Sequence, residues 1–89
     1  MKAFLTVIGK DKPGIIAGVS RMLADKNINI EDISQTVLQG NFTMIMLVNL
    51  EGSGVSLMAL SDDCAALGRD IGVTIHLQQK DIFDAMHEI

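Results

Sequence analysis

The stretch Gly9-Lys10-Asp11-Lys12-Pro13-Gly14 is where residue types and spacing in this 89-residue chain point most clearly to a ligand. It joins an apolar run, residues 2–8, to an amphipathic segment that opens at Ile15. A glycine at each end lets a small molecule approach the backbone closely. A helix starting here offers unsatisfied N–H groups and a partial positive charge, which suit a carboxylate or phosphate. Asp11 sets a negative charge beside them. Donors next to a carboxylate match a zwitterion, whose own carboxylate meets the helix while its ammonium meets Asp11. The same residues have a plainer reading, in which Asp11 caps its own helix and the glycines only turn the chain. The residues alone leave both open.

Other chemistry is sparse. Cys64 is the only cysteine, which excludes an internal disulfide, an iron–sulfur cluster and a Cys-x-x-Cys metal loop. It falls on the apolar stripe of a helix and reads as a buried, inert thiol. His76 and His87 occupy polar positions near the end of the chain and read as solvated. Asp62 and Asp63 point to different sides of a helix and read as its solvated surface. Glu31-Asp32 could offer a carboxylate to a metal, yet no second cluster accompanies it. The six methionines read mostly as core filling. With three phenylalanines as the only aromatics and a net charge of −4, neither a base-stacking RNA surface nor attraction to nucleic acid or anionic membranes is expected. No nucleophile–base pair, metal set or cofactor motif is visible, so the chain reads as a non-enzyme without a cofactor.

The elements that must position the loop follow from periodicity. Apolar residues make up 48% and charged residues 20% of the chain, which describes one small domain, residues 1–89, with a single core. No signal peptide or membrane span is visible, and one lone cysteine suits a reducing cytoplasm. The first strand, 2–8, is closed by Gly9. Pro13 suits the first turn of a helix that carries Ile15, Ile16, Val19, Met22 and Leu23 on one face. A second strand spans 28–39, with a bulge expected near Glu31-Asp32 because the apolar parity changes between Ile30 and Ile33. Gly40-Asn41 suits a two-residue hairpin turn into a central strand, 42–50. After a loop at 51–54, Leu57, Leu60, Cys64, Leu67 and Ile71 line a second helix that Gly72 stops. Val73, Ile75 and Leu77 alternate as a half-exposed fourth strand. Asp81 could cap a last helix whose Ile82, Phe83, Met86 and Ile89 share a face. The fold class is α+β: a ferredoxin-like βαββαβ core, 2–79, with a four-stranded antiparallel sheet, two helices on one face and a short C-terminal helical tail, 81–89. The other sheet face then needs cover from a partner chain, the C-terminal helix, or both.

Val7-Ile8-Gly9-Lys10-Asp11-Lys12-Pro13-Gly14-Ile15-Ile16, followed by Val19, Leu23 and Asn27-Ile28-Asn29-Ile30, resembles the ACT domain, a small-molecule-sensing regulatory module of amino-acid metabolism. The likeness runs over residues 2–79. The ending Ile82-Phe83-Asp84-Ala85-Met86-His87 is similar to small free-standing ACT proteins. Similar domains open formyltetrahydrofolate deformylases and make up the glycine-cleavage repressor. The resemblance implies a homodimer with an effector site between subunits, an amino acid or similar molecule as ligand, and a regulated enzyme or regulator as partner. It implies a site built from Gly9, Lys10, Asp11, Pro13, Gly14, Ile15 and Ile16, with Asn29 and Ile30 from the opening of the second strand. Gly9 stands where the serine-binding members have a histidine, so serine specificity is not carried over. Some ACT domains only dimerise, which makes assembly without a ligand the alternative, with a small enzyme as a remote third reading.

Overall fold

In the computed structural model, which describes residues 1–86, seven elements follow one another. They are β1 (Lys2–Lys10), α1 (Ile15–Asp25), β2 (Asn29–Leu38), β3 (Asn41–Asn49), α2 (Leu57–Ile71), β4 (Thr74–Gln79) and α3 (Lys80–Met86). The strands form one antiparallel sheet in the order β2-β3-β1-β4. The two most apolar strands are therefore central, and β2 and β4 are edges. Ala3, Leu5 and Val7 of β1 and Phe42, Met44, Met46 and Val48 of β3 share one face and are buried. Ile15, Val19 and Leu23 of α1 and Leu60 and Cys64 of α2 complete the same core, so both helices cover that face. This is the ferredoxin-like arrangement that the order of elements predicts.

Local chemistry ends the elements. The Ser56 side chain caps α2 by accepting from the Ala59 N–H at 3.1 Å, and Gly72 stops that helix at φ 74°. Lys26 reaches Asp63 at 2.6 Å and ties the end of α1 to α2, so Asp63 is more than a solvated surface charge. The bulge falls at Glu31: Ile30 pairs with Val48 and Asp32 pairs with Leu47.

Four expectations are corrected. Gly9 does not end β1, since it pairs with Phe42 and the ladder continues to Lys10. A Cβ at Gly9 would fall 2.8 Å from Val73 Cγ1, so close packing is what glycine serves there. The hairpin turn is Gln39-Gly40 rather than Gly40-Asn41, with φ of 52° and 78°, because Leu38 pairs with Asn41. Only Met44 and Met46 are fully buried, whereas Met1, Met58 and Met86 are exposed. Finally, α3 begins at Lys80 and includes Asp81 in its first turn, and its Ile82 and Met86 stay exposed. Phe83 packs onto the sheet, its ring centroid 4.3 Å from that of Phe4, and Met86 Sδ accepts from Gln78 Nε2 of β4 at 3.2 Å. The expectations for His87 and Ile89 lie outside the described residues.

Cys64 is fully buried, and desolvation, helped by the Asp63 charge, pushes its thiol up to about 11 from an ordinary 9.0. The unfolded chain then loses this proton first. Between those two values it binds fewer protons than the folded chain, so stability falls as pH rises, by about 2–3 kcal/mol across the window. Urea melts at pH 8 and near the top of the window should show a larger loss for the natural chain than for Cys64→Ala. Equal losses would remove the thiol from the account.

Candidate functional site

The candidate site begins where β1 hands over to α1. Gly14 is the N-cap residue, at φ 92°, and its carbonyl accepts from the Gly18 N–H at 2.9 Å. No side chain caps this helix. Asp11 therefore does not cap α1, and Pro13 precedes the cap instead of occupying the first turn. The backbone N–H of Asp11 donates to the Gly40 carbonyl at 2.8 Å and pins the loop to the β2–β3 turn. Its exposed carboxylate engages no hydrogen bond or ion pair among the described residues. A Cβ at Gly14 would meet nothing within 4 Å, so space lies open beside the cap. Lys12 turns away: a Cβ at Gly72 would fall 2.6 Å from its Nζ, which places the ammonium against the negative end of α2.

The remaining site residues divide in two. Lys10 and Pro13 are exposed, and Ile16 flanks the cap partly exposed. Ile15 is 2% exposed, so its side chain belongs to the core and only its backbone bears on the cap. Gly9 lies in the strand against Val73. Asn29, by contrast, pairs with Asn49, which in turn pairs with Lys2. It sits at the far end of the sheet from Lys10. Eight residue steps along β1 at about 3.3 Å each separate the two ends by roughly 26 Å. Ile30 is half-buried against the core at that same end. One chain thus gathers Gly9 to Ile16 but not Asn29 and Ile30.

Beside Asn29 a small polar cluster escapes a reading of the sequence. Glu31 Oε1 meets Lys2 Nζ at 2.8 Å, and Asn49 Nδ2 donates to Glu31 Oε2 at 3.0 Å. Lys2 first and Asn49 second hold the Glu31 carboxyl below the usual carboxylate range. The bulge is the one sequence signal for it, since Glu31 is the inserted residue.

The edge strand is open. Ile33 and Val37 pair with Met46 and Phe42 and so share the helix-covered face, yet they are 46% and 52% exposed. The helices do not reach over β2 to cover them. Among the described residues, no three His, Cys, Asp or Glu side chains come together as a metal site, and no helix is long and apolar enough to cross a membrane.

Known proteins resemble this chain over its length. The ACT-domain sequence profile matches residues 3–78. A UPF0237 protein of Clostridium acetobutylicum is 52% identical over 89 residues, covering 100% of both chains. The solved structure of an ACT domain protein from Streptococcus pneumoniae is 44% identical, with a TM-score of 0.84 over 94% of each chain. A formyltetrahydrofolate deformylase from Pseudomonas putida shares the fold alone, at 14% identity and a TM-score of 0.77, over 88% of this chain and 28% of that one.

Proposed function

The chain belongs to the ACT-domain family, and we propose that it is a non-catalytic regulatory domain of the cytoplasm that binds a small amino-acid-like metabolite and modulates a partner protein. One observation carries this reading: α1 opens without a side-chain cap, beside open space at Gly14 and an unengaged Asp11 carboxylate. Backbone N–H groups there suit the carboxylate of an amino acid, and Asp11 suits its ammonium. A buried core around Ile15 holds both in place.

The ligand site is completed by a second copy. If β2 pairs antiparallel with β2 of another chain about a two-fold axis, the Asn29 end of one strand lies beside the Leu38 end of the other. Leu38 pairs with Asn41, which pairs with Lys10, so Asn29 and Ile30 arrive next to the partner's Gly9–Ile16 loop. The same pairing covers Ile33 and Val37 and satisfies an otherwise unpaired strand edge. A dimer that assembles this way without any ligand is the alternative reading, favoured by that same apolar edge.

Thermal shifts across the twenty amino acids separate the two: one selective shift supports sensing, and none supports assembly. For the best ligand, Asp11→Asn should weaken binding in calorimetry by about 1.5–3 kcal/mol, because a charge-assisted contact is lost. Equal affinity for both chains would sink the zwitterion reading. Gly14→Val is a poorer test, since at φ 92° any side chain is strained whether or not a ligand comes near.

A further inference from the structure

The sheet face opposite the core carries a groove that the effector loop does not explain. It encloses about 310 Å³ between α3 and β2. Phe4, Ile45 and Leu47 of the central strands line it, Phe83 of α3 walls one side, and Asp32 to Ser34 of β2 wall the other. The bulge decides the chemistry of that second wall. In an unbroken ladder continuing from Asn29–Asn49 and Ile30–Val48, Ile33 would stand opposite Ile45. With Glu31 inserted, Asp32 pairs with Leu47 and Ser34 with Ile45, so a carboxylate and a hydroxyl join the apolar face. Ile33 is turned to the other face, where it remains 46% exposed. Burial alone favours the opposite choice, with the isoleucine on the apolar groove and the carboxylate away from it. Bulges of this kind re-aim side chains beside binding sites.

We infer that this groove is a second small-molecule site, distinct from the α1 loop, for a cation carried on an apolar or aromatic body and lacking a carboxylate. Asp32 Oδ1 accepts from the Ile33 N–H at 2.9 Å, which fixes the carboxylate and leaves Oδ2 for the ligand. The neighbouring cation, Lys2, is engaged by Glu31 and does not neutralise Asp32. The Phe4 and Phe83 rings, packed together with centroids 4.3 Å apart, add an aromatic wall for the apolar body. The volume lies at the small end of the ~300–1,000 Å³ usual for such sites. An amino acid fits poorly, because its carboxylate would meet that of Asp32.

The test uses the full chain, 2-phenylethylamine as the cationic probe and 2-phenylethanol as its neutral counterpart, followed by amide NMR shifts. The amine should saturate and shift the amides of Asp32, Ser34, Ile45, Leu47 and Phe83 while leaving Asp11 to Ile16 unmoved. Asp32→Asn keeps the bond to the Ile33 N–H and should weaken the amine roughly tenfold or more. Ser34→Leu fills the groove from an exposed strand position and should abolish binding with the melting temperature unchanged. Absence of saturable binding at millimolar amine would overturn the inference. So would equal binding of alcohol and amine, full affinity in Asp32→Asn, or shifts centred on the α1 loop.

Discussion

A chain carrying both Ile33→Lys and Val37→Lys should sediment as a monomer of about 10 kDa, where the natural chain at micromolar concentration should run at twice its 9.6 kDa. Both residues lie on the solvent edge of the sheet, on the helix-covered face, and neither is buried within the chain. Lysine at such positions is a common device against edge pairing, because two like charges cannot be brought together across a two-fold axis. The fold of each chain should survive, since no core contact is removed. In the proposed dimer Asn29 and Ile30 reach the α1 loop only from the second copy, so amino-acid binding there should fall by more than the loss caused by Asp11→Asn. A dimer that persists in the doubly substituted chain would exclude β2 as the interface. Packing through the opposite sheet face, where Ile8 and Leu38 are exposed, would then take its place.

Gly68→Ala should destabilise the chain by about 2–3 kcal/mol, which for a domain of this size lowers the melting temperature by roughly 10–20 °C. On helix propensity alone the change would stabilise α2 by ~1 kcal/mol. Packing reverses the sign. A Cβ on Gly68 would fall 2.6 Å from the Val73 carbonyl oxygen and 3.5 Å from the Ile75 nitrogen. Both are backbone atoms, and neither can swing aside as a side chain would. The Val73 N–H also donates to the Gly68 carbonyl at 2.9 Å, so the chain doubles back tightly from α2 into β4 at this residue. Gly18 supplies the contrast within α1, since its Cβ would find only Ile71 Cδ1 at 3.8 Å. Gly18→Ala should therefore be neutral or stabilising by up to ~1 kcal/mol. If calorimetric melting ranks the two variants the other way, the close approach of α2 to β4 is wrong.

Much of the molecule is legible in the chain itself. Apolar spacings of three and four in α1 and α2 encode which face each helix buries, and the near-continuous apolar runs of β1 and β3 mark them as central strands. The parity change between Ile30 and Ile33 reveals the bulge, and Gly72 marks the end of α2. These signals are local: each depends on residues within a few positions of one another. The composition of the β1–α1 loop, Asp11 and its glycines included, is legible for the same reason.

Tertiary structure decides what local pattern cannot reach. Gln39 and Gly40 form the turn because the β2–β3 register, held along the whole ladder, pairs Leu38 with Asn41. Gly9 and Gly68 look like a strand end and a weak helix position, yet both face the Val73 segment, which is remote in sequence from Gly9 and lies across the α2–β4 reversal from Gly68. Asp11 leaves α1 uncapped because its backbone is drawn to Gly40 in the β2–β3 turn. Asn29 and Asp11, which look like neighbours in one site, stand at opposite ends of the sheet because α1 runs its length between them. Periodicity records how a residue faces its own element; only the order of strands and the crossing between them records which residues meet.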